Sequence, residues 1–183
     1  DDAISGMLVY GNVFVRSANG NFGAIQMNSG RDNIMDNNLF VDCKQGISGG
    51  WYPGNGVWAM LRDGNKPEDF YTTDLYLTRY PELAHMLEPP GINHLWRNVF
   101  FRCGQMARSD YSNLDLFQNA ELDKEDPGFV NAAVDDYTLK PNASLFAKVG
   151  FRPIPIAEIG LYDAPRRASW PVDTTPVDMP DWR

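Results

Sequence analysis

Aspartates at three positions have the type and placement for acid–base chemistry. Asp1 and Asp2 stand directly before a strand-like run, and Asp42 ends another, "IMDNNLFVDC" at 34–43. Two carboxyl groups can divide the cleavage of an acetal, one protonating the leaving oxygen and the other acting as base or nucleophile. Adjacent acids repel, so placing Asp1 beside Asp2 is costly unless something exploits the repulsion. Alternation along a strand sends the two side chains to opposite faces, so one of them is expected to face a given groove. Asp42 has a second reading, because Arg16 and Arg102 hold the same position in related segments and Asp42 beside Arg16 would make a surface ion pair.

Aromatic side chains supply the other candidates. The stretch "GGWYPGNGVWAMLRDGNKPED" (49–69) carries Trp51, Tyr52, Trp58 and Arg62. Flat rings suit the apolar faces of sugars, although the same rings would serve equally to pin a loop to the body of the fold. His85, on a short expected helix, either lines a groove or sits on the helix surface. It and His94 are the only histidines, which excludes a His-based metal cluster and leaves a Ser-His-Asp triad little to draw on. No metal centre is expected. Asp36 shares its position with Tyr10 and Trp96, each two residues before an asparagine, and Asp32 lies nearby; these residues read as a solvent-facing row or as the lining of a groove.

These residues need a frame, and internal repetition supplies it. The segments "LVYGNVFVRS" (8–17), "IMDNNLFVDC" (34–43) and "HLWRNVFFRC" (94–103) align without gaps on Asn12-Val13-Phe14, Asn38-Leu39-Phe40 and Asn98-Val99-Phe100. The first two lie 26 residues apart, the length of one coil of a β-solenoid, and the third follows after 60. Shorter strands, "GAIQM" (23–27) and "QGISG" (45–49), complete the early coils. The expected fold is therefore all-β, a parallel β-helix in which each coil buries its inward side chains against its neighbours. Asn12, Asn38 and Asn98 are expected to form a ladder at a bend, with Phe14, Phe40 and Phe100 stacked inside. Asn33 and Asn37 read as turn and surface residues. Cys43 and Cys103, equivalent to Ser17, read as buried thiols stacked in the core, or as a disulfide if their coils are neighbours.

Residues 1–112 would hold the coils, with an insertion at 49–91 that includes a short helix over Pro81–Leu87. From Asn113 the repeat fades, giving a C-terminal coil and cap at 113–165 and an extended arm at 166–183. With 183 residues and 43% hydrophobic content the chain can build one core. A net charge of -8 argues against a nucleic-acid partner, and no apolar run approaches the length needed to span a membrane. The start at Asp1, without methionine, reads as a processed chain or a piece of a longer one. Its first coil would then expose a strand edge to a partner chain or to the remaining N-terminal part of its own helix.

The stretches "DDAISGMLVYGNVF", "GRDNIMDNNLFVDC", "RYPELAHML", "EDPGFVNAAVDDYTLKPNAS" and "GFRPIPIAEIGLY" resemble the C-terminal part of right-handed parallel β-helix proteins of the pectate-lyase-like superfamily. The resemblance is greatest to carbohydrate-active bacterial members of the glycoside hydrolase family 141 type, which includes α-L-fucosidases and xylanases. It implies a periplasmic or secreted glycoside hydrolase of cell-wall glycans, without cofactor. Asp1 or Asp2 would pair with Asp42, and Trp51, Tyr52, Trp58, Arg62 and His85 would contact the carbohydrate. Two alternatives remain, a polysaccharide lyase using Ca²⁺ against a uronic acid and a non-catalytic glycan-binding solenoid. Lys44, Lys66, Arg62 and Arg79 are scattered, which disfavours the lyase.

Overall fold

The computed structural model describes residues 3–18, 20–52, 54, 56–62, 72–108 and 113–159, with the Arg62 side chain and the positions of Asp1 and Asp2 outside that description. Each short apolar run becomes a strand: β1 (Leu8–Tyr10), β2 (Val13–Val15), β3 (Ile25–Asn28), β4 (Ile34–Asp36), β5 (Leu39–Val41) and β6 (Ile47–Gly50). After the insertion come β7 (Asn93–Trp96), β8 (Val99–Phe101), β9 (Leu114–Phe117) and β10 (Ala120–Leu122). Strands dominate, and the longer sheets are parallel. The first sheet runs β1-β4-β7-β9, the second β2-β5-β8-β10, and the third pairs β3 with β6.

The pairing is in register with the sequence repeat. Phe14, Phe40 and Phe100 stand opposite one another, and their rings stack at 4.9 and 4.6 Å between centroids. Inside the layers they meet Met35, Leu95, Ile47 and Cys43. The central strands of the second sheet, β5 and β8, carry unbroken apolar triplets because both faces are buried. Leu39, Val41, Val99, Phe101 and Leu122 point away from the phenylalanine column and are covered by Phe129, Tyr137, Leu145, Val149, Phe151 and Ile154.

The bends between first and second sheet explain the asparagines. Asn12, Asn38 and Asn98 each donate both the backbone N–H and Nδ2 to the side-chain oxygen of the next asparagine, at 2.9–3.0 Å. The fourth rung is Asn119, so the repeat continues past residue 113 for one more layer, with Glu121 at the phenylalanine position. The residue before each ladder asparagine is left-handed: Gly11, Asn37, Arg97 and Gln118 have φ of 67°, 57°, 52° and 50°. A side chain in that conformation is uncommon, and its recurrence at one corner shows that the fold, not local preference, sets it.

Two expectations are overturned here. Asn33 and Asn37 are not surface residues; they are 2% and 1% exposed. Asn33 belongs to a second ladder, where its N–H meets Oδ1 of Asn93 at 3.1 Å and its own Oδ1 accepts from Met7 at 3.0 Å. Asn37 clamps the C-terminal segment, since Nδ2 donates to the Arg152 carbonyl and Oδ1 accepts the Arg152 N–H at 2.6 Å. Burial demanded partners that only distant backbone provides.

The insertion, expected as a loop and one helix, holds α1 (Gly56–Arg62), α2 (Asp74–Arg79) and a 3-10 turn over Pro81–His85. Downstream, the antiparallel pair β11 (Phe129–Asn131) and β12 (Asp136–Leu139), with α3 (Leu145–Lys148), lies along the outer face of the second sheet. Leu116 and Phe117 in the last rung stay about half exposed. Among the described residues no helix is long and apolar enough to cross a membrane.

Candidate functional site

The second sheet is covered on its outer side, and among the described residues the corresponding side of the first sheet has no such cover. Strand alternation points Val9, Met35 and Leu95 inward and places two columns outside. One column is Tyr10, Asp36, Trp96 and Phe117; the other is Leu8, Ile34, His94 and Asp115. Tyr10, Leu8, Phe117 and Leu116 are exposed large apolar side chains.

A polar group sits among these rings. Nε1 of Trp96 donates to Oδ2 of Asp115 at 3.0 Å, and Nδ1 of His94 lies 3.0 Å from the same oxygen. The His94 and Trp96 rings stand 4.9 Å apart, tilted by 54°. The hydrogen bond from His94 and then that from Trp96 hold the Asp115 carboxyl below the usual carboxylate range. Asp115 is thus an exposed anion of fixed orientation at the edge of an indole ring.

Asp36, one rung from Trp96, behaves differently. It is buried, and both oxygens are taken by Arg97, Oδ1 by Nε at 2.9 Å and Oδ2 by Nη2. Fork-shaped pairing of this kind neutralises the carboxylate and fixes both partners. The outer column therefore runs as a phenol, a closed ion pair, an indole and a phenyl ring.

The residues singled out from sequence are distributed elsewhere. Asp1 and Asp2 lie outside the described residues. Asp42 occupies the corner after β5, where it bonds to Arg102 at 2.6 Å and not to Arg16. Arg16, one layer away, turns outward to Asp135 at 2.6 Å, because the C-terminal segment brings that acid alongside. Trp58 is buried at 3% exposure, its Nε1 donating to the Ser29 carbonyl and hydroxyl at 2.8 and 2.9 Å. It pins the insertion to the body, and its ring is closed to a ligand. Tyr52 is 60% exposed but anchored through its backbone to the Ser29 hydroxyl. Trp51 is half-buried against Gly91, where an added Cβ would run into its ring. Arg62 contributes backbone to α1. His85 is exposed and paired with Glu88 at 2.9 Å, which raises its pKa.

Asp42 and the insertion thus stand at different corners of a layer, with the strands between them. Sequence reading missed Asp115 and Arg97. The signal was present in "LDLFQNAEL" (114–122), where Asn119 continues the ladder and fixes Asp115 opposite His94. Among the described residues, no group of three or more His, Cys, Asp or Glu is placed to hold a metal ion. Comparison with protein-family models, with curated proteins and with solved structures finds no match for the chain.

Proposed function

We propose that the chain is part of a right-handed parallel β-helix whose first sheet binds a glycan on its open outer face. The observation that carries this reading is the half-buried Trp96 beside the exposed Phe117 and Asp115, an anion oriented by His94 and Trp96. Sugar rings offer apolar C–H faces to an indole or phenol and hydroxyl donors to a fixed carboxylate, and a ladder of in-register strands repeats such contacts at about 4.8 Å. The resemblance to carbohydrate-active β-helix proteins points to the same ligand class. A glycan ligand fits a periplasmic or secreted protein. The apolar first rung, with Ile4, Met7 and Leu8 exposed, fits contact with a partner chain or further coils.

Hydrolysis is the second reading, favoured by the ionised Asp115 as base or nucleophile. A proton donor must accompany it. Asp36 gives both oxygens to Arg97 and Asp42 is bonded at another corner, so Asp1 or Asp2 is the acid proposed for that role. A lyase has less support. Arg97 on this face is already bonded to Asp36, and a net charge of -8 opposes a uronate polymer.

Retention on a panel of immobilised xylan, fucosylated glycan and pectin tests the proposal, with reducing ends and unsaturated products assayed together. Trp96→Ala and Tyr10→Ala are expected to weaken retention about tenfold each. Retention unchanged in both variants, or no retention of any glycan, overturns it. New reducing ends that vanish in Asp115→Asn would establish the hydrolase.

A further inference from the structure

The sequence places Cys43 and Cys103 sixty residues apart, on either side of the whole insertion, yet parallel pairing makes them neighbours. The strands that lead to them match Val41 to Phe101, and the ladder continues beyond: the Asp42 N–H donates to the Phe101 carbonyl, and the Gly104 N–H to the Cys43 carbonyl, each at 3.0 Å. Both thiols take the same orientation, each Sγ directed at the carbonyl two residues back, 3.5 Å from Val41 and 3.6 Å from Phe101. Both pack on the inner layer with Phe40 and Phe100.

We propose that Cys43 and Cys103 form a disulfide that joins the second and third layers across the base of the insertion. Adjacent parallel strands set matched Cα atoms about 4.8 Å apart, inside the roughly 4.4–6.8 Å span that a disulfide bridges. Both cysteines are free thiols in the described state. Cys43 is buried and Cys103 half-buried, so a disulfide oxidant of small size, such as glutathione disulfide, reaches Cys103 first. The Cys103 thiolate attacks one glutathione sulfur and expels the other as thiolate. Cys43 then attacks Cys103 Sγ and expels the second glutathione. Two electrons pass to the oxidant, and the two thiol protons end on two glutathione molecules. The bond to Cys43 and burial raise the pKa of Cys103, so its first attack is favoured by alkaline buffer.

The test uses the whole chain, folded, with glutathione disulfide as oxidant, followed by alkylation and non-reducing digestion. The expected result is an intact mass lower by two hydrogens, a Cys43–Cys103 linked peptide that disappears on reduction, and a thermal midpoint raised by several degrees. Cys43→Ser and Cys103→Ser should each abolish the linked peptide and the shift. Stable glutathione adducts on Cys103, intermolecular dimers, or two alkylatable thiols after oxidation would overturn the proposal. None of these readouts depends on any glycan.

Discussion

Asn38 gives both its backbone N–H and its Nδ2 to one acceptor, the Oδ1 of Asn98, each at 3.0 Å. Nδ2 also reaches the Val9 carbonyl at 2.9 Å, so one fully buried side chain ties three layers together. Replacing Asn98 with Ala would strip the acceptor from two buried donors and leave the Met35 carbonyl without its amide partner. Each unmatched buried group costs roughly 1–3 kcal/mol. Asn98→Ala should therefore lower unfolding free energy by about 3 kcal/mol or prevent folding, and Asn12→Ala, in the exposed first layer, should cost clearly less. Urea titrations of the two variants decide the ranking.

Arg97 and Asp36 form another polar contact of consequence, with the carboxylate buried. The Asp36 side chain is 8% exposed and that of Arg97 28%. Arg97→Met would leave a carboxylate enclosed beside Tyr10 and Trp96 without its fork of donors, an arrangement that costs about 3–5 kcal/mol. Asp36→Asn with Arg97→Met removes the stranded charge and should recover much of the loss. A double-mutant cycle by chemical denaturation measures the coupling, and additive effects would show that the pair contributes nothing of its own.

The Trp58 indole separates anchoring from binding. Trp58→Phe keeps an aromatic ring, smaller by the pyrrole, and removes the two hydrogen bonds to Ser29. The insertion should then be cut faster by a protease in native buffer, at a stability cost of about 1–2 kcal/mol, with glycan retention unchanged. Loss of retention with normal protease resistance would return Trp58 to the ligand.

The layered frame was legible because identical residues recur at matched positions, as Asn12, Asn38 and Asn98 do with their phenylalanines. Residues whose role depends on a different part of the chain were not. Asn37 differs from Arg97 and Gly11 at its position, and only the folded Arg152 backbone explains why an amide is there. Asp42 was matched with Arg16 by position, but each guanidinium goes to the nearest acid that the fold offers, and Asp135 arrives from a segment far along the chain. Trp58 read equally as a ligand contact or a loop anchor because nothing local marks Ser29 as its partner. The Asp115 site was hidden for a related reason, since its layer lacks the phenylalanine that made the others visible.

Asp135 should produce a pH dependence at the acid end. The guanidinium of Arg16 and the hydroxyl of Tyr137 bring its pKa from 3.8 down to about 2. A carboxyl whose folded pKa is depressed binds protons more weakly folded than unfolded, so its contribution is complete above pH 3.8 and is lost as pH falls toward 2. Solvent screens this half-exposed pair, which limits the amplitude to about 1 kcal/mol or less. Urea midpoints of Asp135→Asn at pH 5 and pH 2.5 should lie closer together than those of the wild type. Equal spacing in the two proteins would assign the acid sensitivity to other groups.

The Asp115 carboxyl supplies the functional counterpart. His94, followed by Trp96, keeps it ionised below the ordinary carboxylate range. If Asp115 accepts hydrogen bonds from a glycan, retention should persist as pH falls through 3.8 and fail only below it. Removing His94 releases the carboxyl toward its ordinary value, so His94→Ala should move the falling limb of the pH profile upward. Asp115→Asn should weaken retention at neutral pH and remove the limb altogether. Retention measured from pH 6 to pH 2.5 on the three proteins reads all these shifts, and superimposable profiles would place the ligand away from Asp115.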